Sequence, residues 1–262
     1  MDLKIAGNSA LVTASSDGLG KAAAQALVQE GVNVVINGRD EQRLSDTASE
    51  LAALGDGDVV AQPGDLLDPA DLSVLVERTV DAFGGIDHLV TSAGGPPSGP
   101  FVDIPIDEWY RTYDLLVMSV VRLVHEAAPY LSDGGGTIVN ITSRSVKEAI
   151  DGLVLSNAVR MAVIGLEKTL SKELAPEVRA NAVLPGPHET ARIRELIEQQ
   201  VDRGEVDSYD AGLAAFGESI PVGHIGDAMG LGHTVAFLSS PLASFINGVA
   251  IPIDGGVGTS NL

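Results

Sequence analysis

The sequence predicts an α/β protein: one doubly wound parallel sheet with helices on both of its faces. Three observations carry this. Short apolar runs alternate with longer helical patterns along the whole chain, the order expected of strands joined by crossover helices. Apolar residues make up 45% and aromatics only 4%, a mix suited to buried parallel strands rich in Val, Leu, Ile and Ala. The 262 residues contain no linker, low-complexity tract or repeat, so a single domain over 1–262 is expected.

The first strand, SALVTA (9–14), runs into a glycine-bearing turn and a helix over 18–30. NVVIN (33–37) precedes a helix over 41–54, and DVVAQ (58–62) one over 69–83. HLVTS (88–92) leads to a long helix over 106–132, and TIVNIT (137–142) to one over 155–175. After RANAVL (179–184) the rhythm breaks. The stretch 187–220 is polar, charged and weakly helical, and is expected to cover a ligand as a lid. A helix over 227–239 and the strand GVAIPI (248–253) close the chain. Right-handed crossovers place these helices on both faces.

Charge narrows the function classes. With 36 acids against 16 bases the net charge is −20, a field that repels nucleic acid and anionic membranes. It reads either as an ordinary solvated surface or as adaptation to a cytoplasm of high salt. There is no cysteine, hence no disulfide framework and no thiolate metal site, and no metal is expected. No run of 18 apolar residues spans a bilayer, and the first residues lack a signal-peptide pattern. A cytoplasmic protein is expected, without membrane or nucleic-acid partners.

Ligands of an open parallel sheet bind outside the carboxyl ends of its strands, so the residues after each strand hold the site. After the first strand, Gly18 and Gly20 open a helix whose amino terminus offers free N–H groups to a diphosphate. Ser15 and Ser16 add hydroxyl donors. The second strand ends on Asn37, Gly38 and Arg39, with no acid to hold ribose hydroxyls. Arg39 suits a 2′-phosphate, which favours NADP over NAD, while Asp17 would repel that phosphate. A solvated Arg39 is the alternative.

Several segments in order then resemble one family. TASSDGLG (13–20) is similar to a T-G-x-x-x-G-x-G loop, with Ala14 in place of its first glycine. GDLLD (64–68), VTSAGG (90–95), IVNITS (138–143), NAVLPGPHET (181–190) and INGVAIPIDGG (246–256) follow at matching spacing. Together they resemble the short-chain dehydrogenase/reductase family, and within it the 3-oxoacyl-carrier-protein reductases, over essentially the whole chain. The resemblance implies a Rossmann-like fold and an NAD(P)-dependent oxidoreductase acting on a small-molecule carbonyl or alcohol, with a 3-oxoacyl thioester as one substrate. It implies a homotetramer packed through the helices at 106–132 and 155–175. It also implies a cofactor site of Ala14, Ser15, Ser16, Asp17, Gly18, Leu19, Gly20, Arg39, Asp65, Leu66, Ser92, Ala93, Gly94, Gly186 and Thr190.

The catalytic positions depart from the family. Its tyrosine falls 13 residues after the serine and its lysine four further on. Counting from Ser143 gives Ser156 and Arg160. The asparagine seven residues after the tryptophan becomes Leu116. Ser143, Ser156 and Arg160 are therefore the candidate catalytic set. A phenol with a lowered pKa makes a good proton donor, whereas a serine hydroxyl is a far weaker acid. A guanidinium stays protonated but can hold ribose hydroxyls or clamp an anion. Arg160 reads either as a ligand-binding group or as half of an ion pair, for instance with Asp114. Lys147 and His188 are stand-ins for the missing groups or surface residues, and Tyr209 lies in the lid. Three activities follow: an oxidoreductase with altered machinery, a dinucleotide-binding sensor or scaffold without turnover, and a non-redox lyase.

Overall fold

The computed structural model of the chain describes residues 1–261. Leu262, the last residue of the expected domain, lies outside the described residues. Among the described residues, seven strands form one parallel sheet: β1 (Ser9–Val12), β2 (Asn33–Gly38), β3 (Val59–Pro63), β4 (His88–Thr91), β5 (Gly136–Ile141), β6 (Val178–Pro185) and β7 (Ala250–Ile253). Their order is β3-β2-β1-β4-β5-β6-β7. The order reverses between β1 and β4, and this is where such sheets open a crevice.

The helices are α1 (Gly18–Gln29), α2 (Glu41–Ala52), α3 (Pro69–Phe83), α4 (Ile106–Tyr113), α5 (Ser119–Leu131), α6 (Val154–Glu173), α7 (Ala191–Asp202), α8 (Tyr209–Glu218) and α9 (Ala228–Ser239). Side chains of Asp17, Asp40, Asp68, Ser208 and Asp227 cap the amino termini of α1, α2, α3, α8 and α9. The pleat of β1 sends Ala10 and Val12 to one face and Leu11 to the other. Ala10 and Val12 join Leu27 of α1, Leu44 of α2 and Leu231 of α9. Leu11 joins Leu75 of α3 and Leu123 of α5, with Leu170 of α6 packed alongside. Helices thus cover both faces, as the doubly wound pattern requires.

Three differences from the sequence reading bear on the site. β1 stops at Val12, because Thr13 and Ala14 turn out of the sheet and Ala14 takes a φ of 45°. The helix expected over 106–132 is α4 and α5 joined by a π turn, Asp114–Met118. Apolar spacing does not register the single extra residue that a π turn absorbs. The stretch 187–220, expected to be weakly helical, holds two helices, α7 and α8.

At the opposite end of the sheet, His88 is buried in a polar knot. Asn8 Nδ2 donates to its Nε2 at 3.0 Å, so Nδ1 carries the proton and donates to Thr137 Oγ1 at 2.9 Å. Burial holds its pKa down at about 4; Arg179 adds to the shift and Asp87 opposes it. The unfolded chain therefore binds a proton that the native ring refuses. The stabilisation from His88 is whole above pH 6.5 and is lost as the pH falls towards 4, a range worth about 3 kcal/mol. Urea unfolding of wild type and His88→Gln across this interval should show a steeper loss of stability in wild type. Parallel curves would contradict the assignment.

Candidate active site

The site begins with one buried asparagine. Asn37, at the end of β2, donates from Nδ2 to the carbonyl of Gly64 at 3.0 Å and accepts at Oδ1 from the Ala14 amide at 3.2 Å. Its backbone N–H donates to Ser15 Oγ at 3.0 Å, and its carbonyl accepts from the Ser15 amide at 2.7 Å. Ser15 Oγ donates in turn to the Val12 carbonyl at 2.6 Å. The Ser15 hydroxyl, expected as a ligand donor, is fully buried and already bonded twice to backbone. A sequence shows a hydroxyl but not which way it faces. Thr13 adds a second tie, donating to the Ser92 carbonyl at 2.7 Å and accepting from the Ser92 amide at 2.9 Å.

These ties shape a cleft of about 420 Å³ past the ends of β1 to β3. Ala14, Ser16, Asp17, Arg39, Asp65 and Leu66 border it together. Asp65 is fixed by its amide, which donates to Asp71 at 2.8 Å. Two further guanidiniums, Arg43 and Arg111, face the same space. Sequence reasoning missed both, because only the fold brings α2 and α4 to one cleft. The Asp17 carboxylate accepts from the Gly18 amide at 2.7 Å and lies 3.9 Å from Arg43. Its charge is therefore answered locally.

A second cleft of about 360 Å³ continues past the amino terminus of α1, between Gly18, Leu19 and Gly20 on one side and Ser92, Ala93 and Gly94 on the other. Gly20 is required by packing: a Cβ there would lie 2.3 Å from the Ala14 carbonyl oxygen. Thr190 borders the far wall. Gly186, directly after β6, is packed so that a Cβ there would meet the Asp254 backbone at 2.6 Å.

Arg160 enters this cleft from α6 at 8% exposure. It has no hydrogen-bond or ion-pair partner among the described residues, and Asp114 is taken by Arg122 at 3.6 Å. Among the described residues, then, the ion-pair reading of Arg160 finds no partner acid. Burial pulls its pKa down to about 10, which leaves it charged at neutral pH. Beside it, Leu116 lies in the π turn and lines a small adjoining cavity.

One turn back on α6, the buried Ser156 hydroxyl lies 3.0 Å from Ser145 Oγ. Ser143 Oγ accepts from the Ser145 amide at 3.1 Å. Ser145 thus stands between the two serines that the sequence pairs. The remaining candidates lie elsewhere. His188 is not on the surface: it is 5% exposed, with Nδ1 3.0 Å from the Gly186 carbonyl and its ring against Gly226. Lys147 is exposed and faces another cavity. Tyr209 donates to Glu189 at 2.7 Å.

A crevice at the reversal of a parallel sheet, with a glycine-bearing turn on the first helix, defines the class of dinucleotide-binding α/β proteins. Residues 13–258 match the family described as enoyl-(acyl carrier protein) reductase. The chain is 30% identical over 262 residues to the uncharacterized oxidoreductase YvrD of Bacillus subtilis, covering 98% of each. It is 31% identical over 256 residues to human dehydrogenase/reductase SDR family member 4, covering 96% of this chain and 88% of the other. The L-sorbose reductase of Gluconobacter frateurii, solved with NADPH and L-sorbose, superposes with a TM-score of 0.93 at 27% identity, over 99% of this chain and 100% of that one. The chain belongs to the short-chain dehydrogenase/reductase family.

One backbone feature is directly testable. The left-handed φ at Ala14 strains an L-residue by about 1–2 kcal/mol, part of which a glycine's unfolded-state entropy offsets. Ala14→Gly should raise the thermal midpoint by roughly 1–3 °C in calorimetry. An unchanged or lower midpoint would mean that the loop is not strained there.

Proposed function

We propose that the chain is an NAD(P)-dependent oxidoreductase that interconverts a carbonyl compound and its alcohol at a substituted catalytic site. The observation that carries this is Arg160: a buried, charged guanidinium without a counter-ion among the described residues, facing the cleft at the amino terminus of α1. Such a group is costly unless an anion or a set of hydroxyls answers it. When bound, the reduced nicotinamide supplies the hydride, so that one carbonyl, one NAD(P)H and one proton become one alcohol and one NAD(P)+.

The residues present fit that group. Ala14 and Ser16 to Gly20 border the diphosphate, with Ser15 holding their backbone from behind. Asp65 and Leu66 take the adenine, while Ser92, Ala93 and Gly94 form the opposite wall. Gly186 and Thr190 line the nicotinamide end, and α7 and α8 act as the lid that follows them. Arg39 and Arg43 favour the phosphorylated cofactor, since both face the adenosine cleft and a 2′-phosphate suits paired guanidiniums.

Ser156 and Arg160 occupy the places of the family's tyrosine and lysine. Arg160 keeps its proton and stabilises negative charge on the reacting oxygen or holds the ribose hydroxyls. Ser156, bonded to Ser145, donates a hydrogen bond to the same oxygen, and Ser143 positions that pair. Neither serine is an effective acid at neutral pH, so the proton comes from water. Without a positioned general acid, turnover falls short of a phenol-bearing site by about 10²–10⁴-fold.

Arg160→Met should move two properties in opposite directions. Removing an unanswered buried charge raises the stability of the unliganded chain by about 1–3 kcal/mol. The same change weakens NADPH binding by about tenfold or more and abolishes carbonyl-dependent NADPH oxidation. Tight NADPH binding with no oxidation by wild type across a carbonyl panel would instead favour a dinucleotide sensor. For cofactor choice, Arg39→Ser/Arg43→Ser should raise the Kd for NADPH about tenfold and leave that for NADH nearly unchanged in fluorescence titration. Equal changes for both would remove the NADP preference.

A further inference from the structure

Side chains of two kinds line the cleft past β1 to β3. Asp17, Arg39 and Arg43 are charged, and Asp17 answers Arg43 at 3.9 Å. Leu66 and Leu67, from the turn after β3, and Leu115, from the π turn, are apolar. Gly94 and Gly95 line the same space, and a Cβ on either would meet nothing within 4 Å. Arg111 belongs with Leu115. It stands four residues earlier on the helix that runs from α4 into the π turn, so the two side chains share one side about a turn apart. Leu115 is half-buried and Arg111 exposed, which puts the guanidinium at the rim. Among the described residues Arg111 has no hydrogen-bond or ion-pair partner. Asp107 and Glu108 precede it on α4 without pairing with it, and Asp114 is taken by Arg122 at 3.6 Å.

The setting of Arg111 differs from that of Arg39 and Arg43. Those two leave the end of β2 and the first turn of α2, next to the acid and hydroxyl of the first loop, and suit a phosphate. Arg111 stands over leucines. A phosphate seated against Leu66 and Leu115 would lose its water there and gain little in return. A flat heterocycle loses nothing: its faces are apolar and its edge keeps its polar atoms in water. A guanidinium is planar, weakly hydrated and always charged, so it stacks on such a face where an ammonium does not. Nucleobases offer that face whatever their substituents.

We propose that Arg111 closes the cleft by stacking its guanidinium plane on the adenine of the dinucleotide, and so holds phosphorylated and unphosphorylated cofactors alike. The inference rests on the dinucleotide reading of the cleft and adds to it a residue of α4. Arg39 and Arg43 then choose between the cofactors, while Arg111 secures the part that both share.

The test titrates the full chain calorimetrically with NADPH, NADH and 5′-AMP. Arg111→Ala should raise all three Kd values by one common factor of about tenfold. Arg111→Trp, which keeps a flat surface, should recover most of that loss. Arg111→Lys, which keeps the charge and the stem but not the plane, should not. The ratio between wild type and Arg111→Ala should hold as NaCl is raised from about 0.05 to about 0.5 M, a range that screens a contact between exposed charges. Arg111 is exposed and unpartnered among the described residues, so its replacement should not disturb folding. A loss confined to NADPH, or full recovery in Arg111→Lys, assigns the guanidinium to a phosphate and overturns the inference, as do unchanged Kd values in Arg111→Ala. If 5′-AMP binds in an Arg111-dependent way while neither dinucleotide binds, the oxidoreductase reading falls and the stacking contact stands. Failure of all three nucleotides to bind overturns both.

Discussion

The site depends on the clasp between Asn37 and Ser15. Both residues are almost entirely buried, where an unmet polar group would cost about 1–3 kcal/mol. Their hydrogen bonds instead join the ends of β1 and β2 and the turn after β3. That bundle fixes where Ala14 bends and hence where α1 begins. It also fixes the angle at which Arg39 leaves β2. Loosening it would displace the walls of the cleft past β1 to β3 together, although the Ser15 hydroxyl and the Asn37 amide are both spent on backbone groups.

Charge then works on the shape that the clasp provides. The chain as a whole repels anions, yet Arg39, Arg43, Arg111 and Arg160 all face the two clefts. Positive groups in a concave surface focus the field, so a local well forms within a negative body. Arg160 is the deepest of these and the least hydrated. Among the described residues no acid answers its charge, so desolvation bears on it more than on the other three.

Much of the fold was legible because a buried parallel strand writes its burial into every residue. VVI- and TIV-type runs left little ambiguity at β2 and β5. The helical patterns after β1, β2 and β3 were legible as α1, α2 and α3. The cleft-lining glycines were also visible, since a glycine beside a strand end signals close backbone approach. What stayed hidden depended on through-space neighbours. Arg43 and Arg111 are unremarked helix residues until the fold brings both to the rim of one cleft. Ser15 and Ser16 look alike in sequence, yet one is bonded to backbone on both sides. Ser145 rather than Ser143 reaches Ser156, because a short 3₁₀ turn at Arg144–Val146 redirects the chain. His188 reads as a loop residue, but Gly226 leaves the space that buries its ring.

The π turn at Asp114–Met118 has a consequence of phase. In an α-helix each residue advances the direction of the side chains by about 100°. One extra residue absorbed in a single turn means that α4 and α5 are two screws cut from one rod but offset in their threads. Leu123 and Ala127 face the sheet because of that offset, and Leu116 faces Arg160 for the same reason. Closing the bulge into regular helix would leave the composition of the segment almost intact while rotating one half of it against the other. The core under α5 and the wall beside Arg160 could not then both be kept. The bulge is a gearing element: it sets the angular relation between the packing that stabilises the sheet and the surface that meets a ligand.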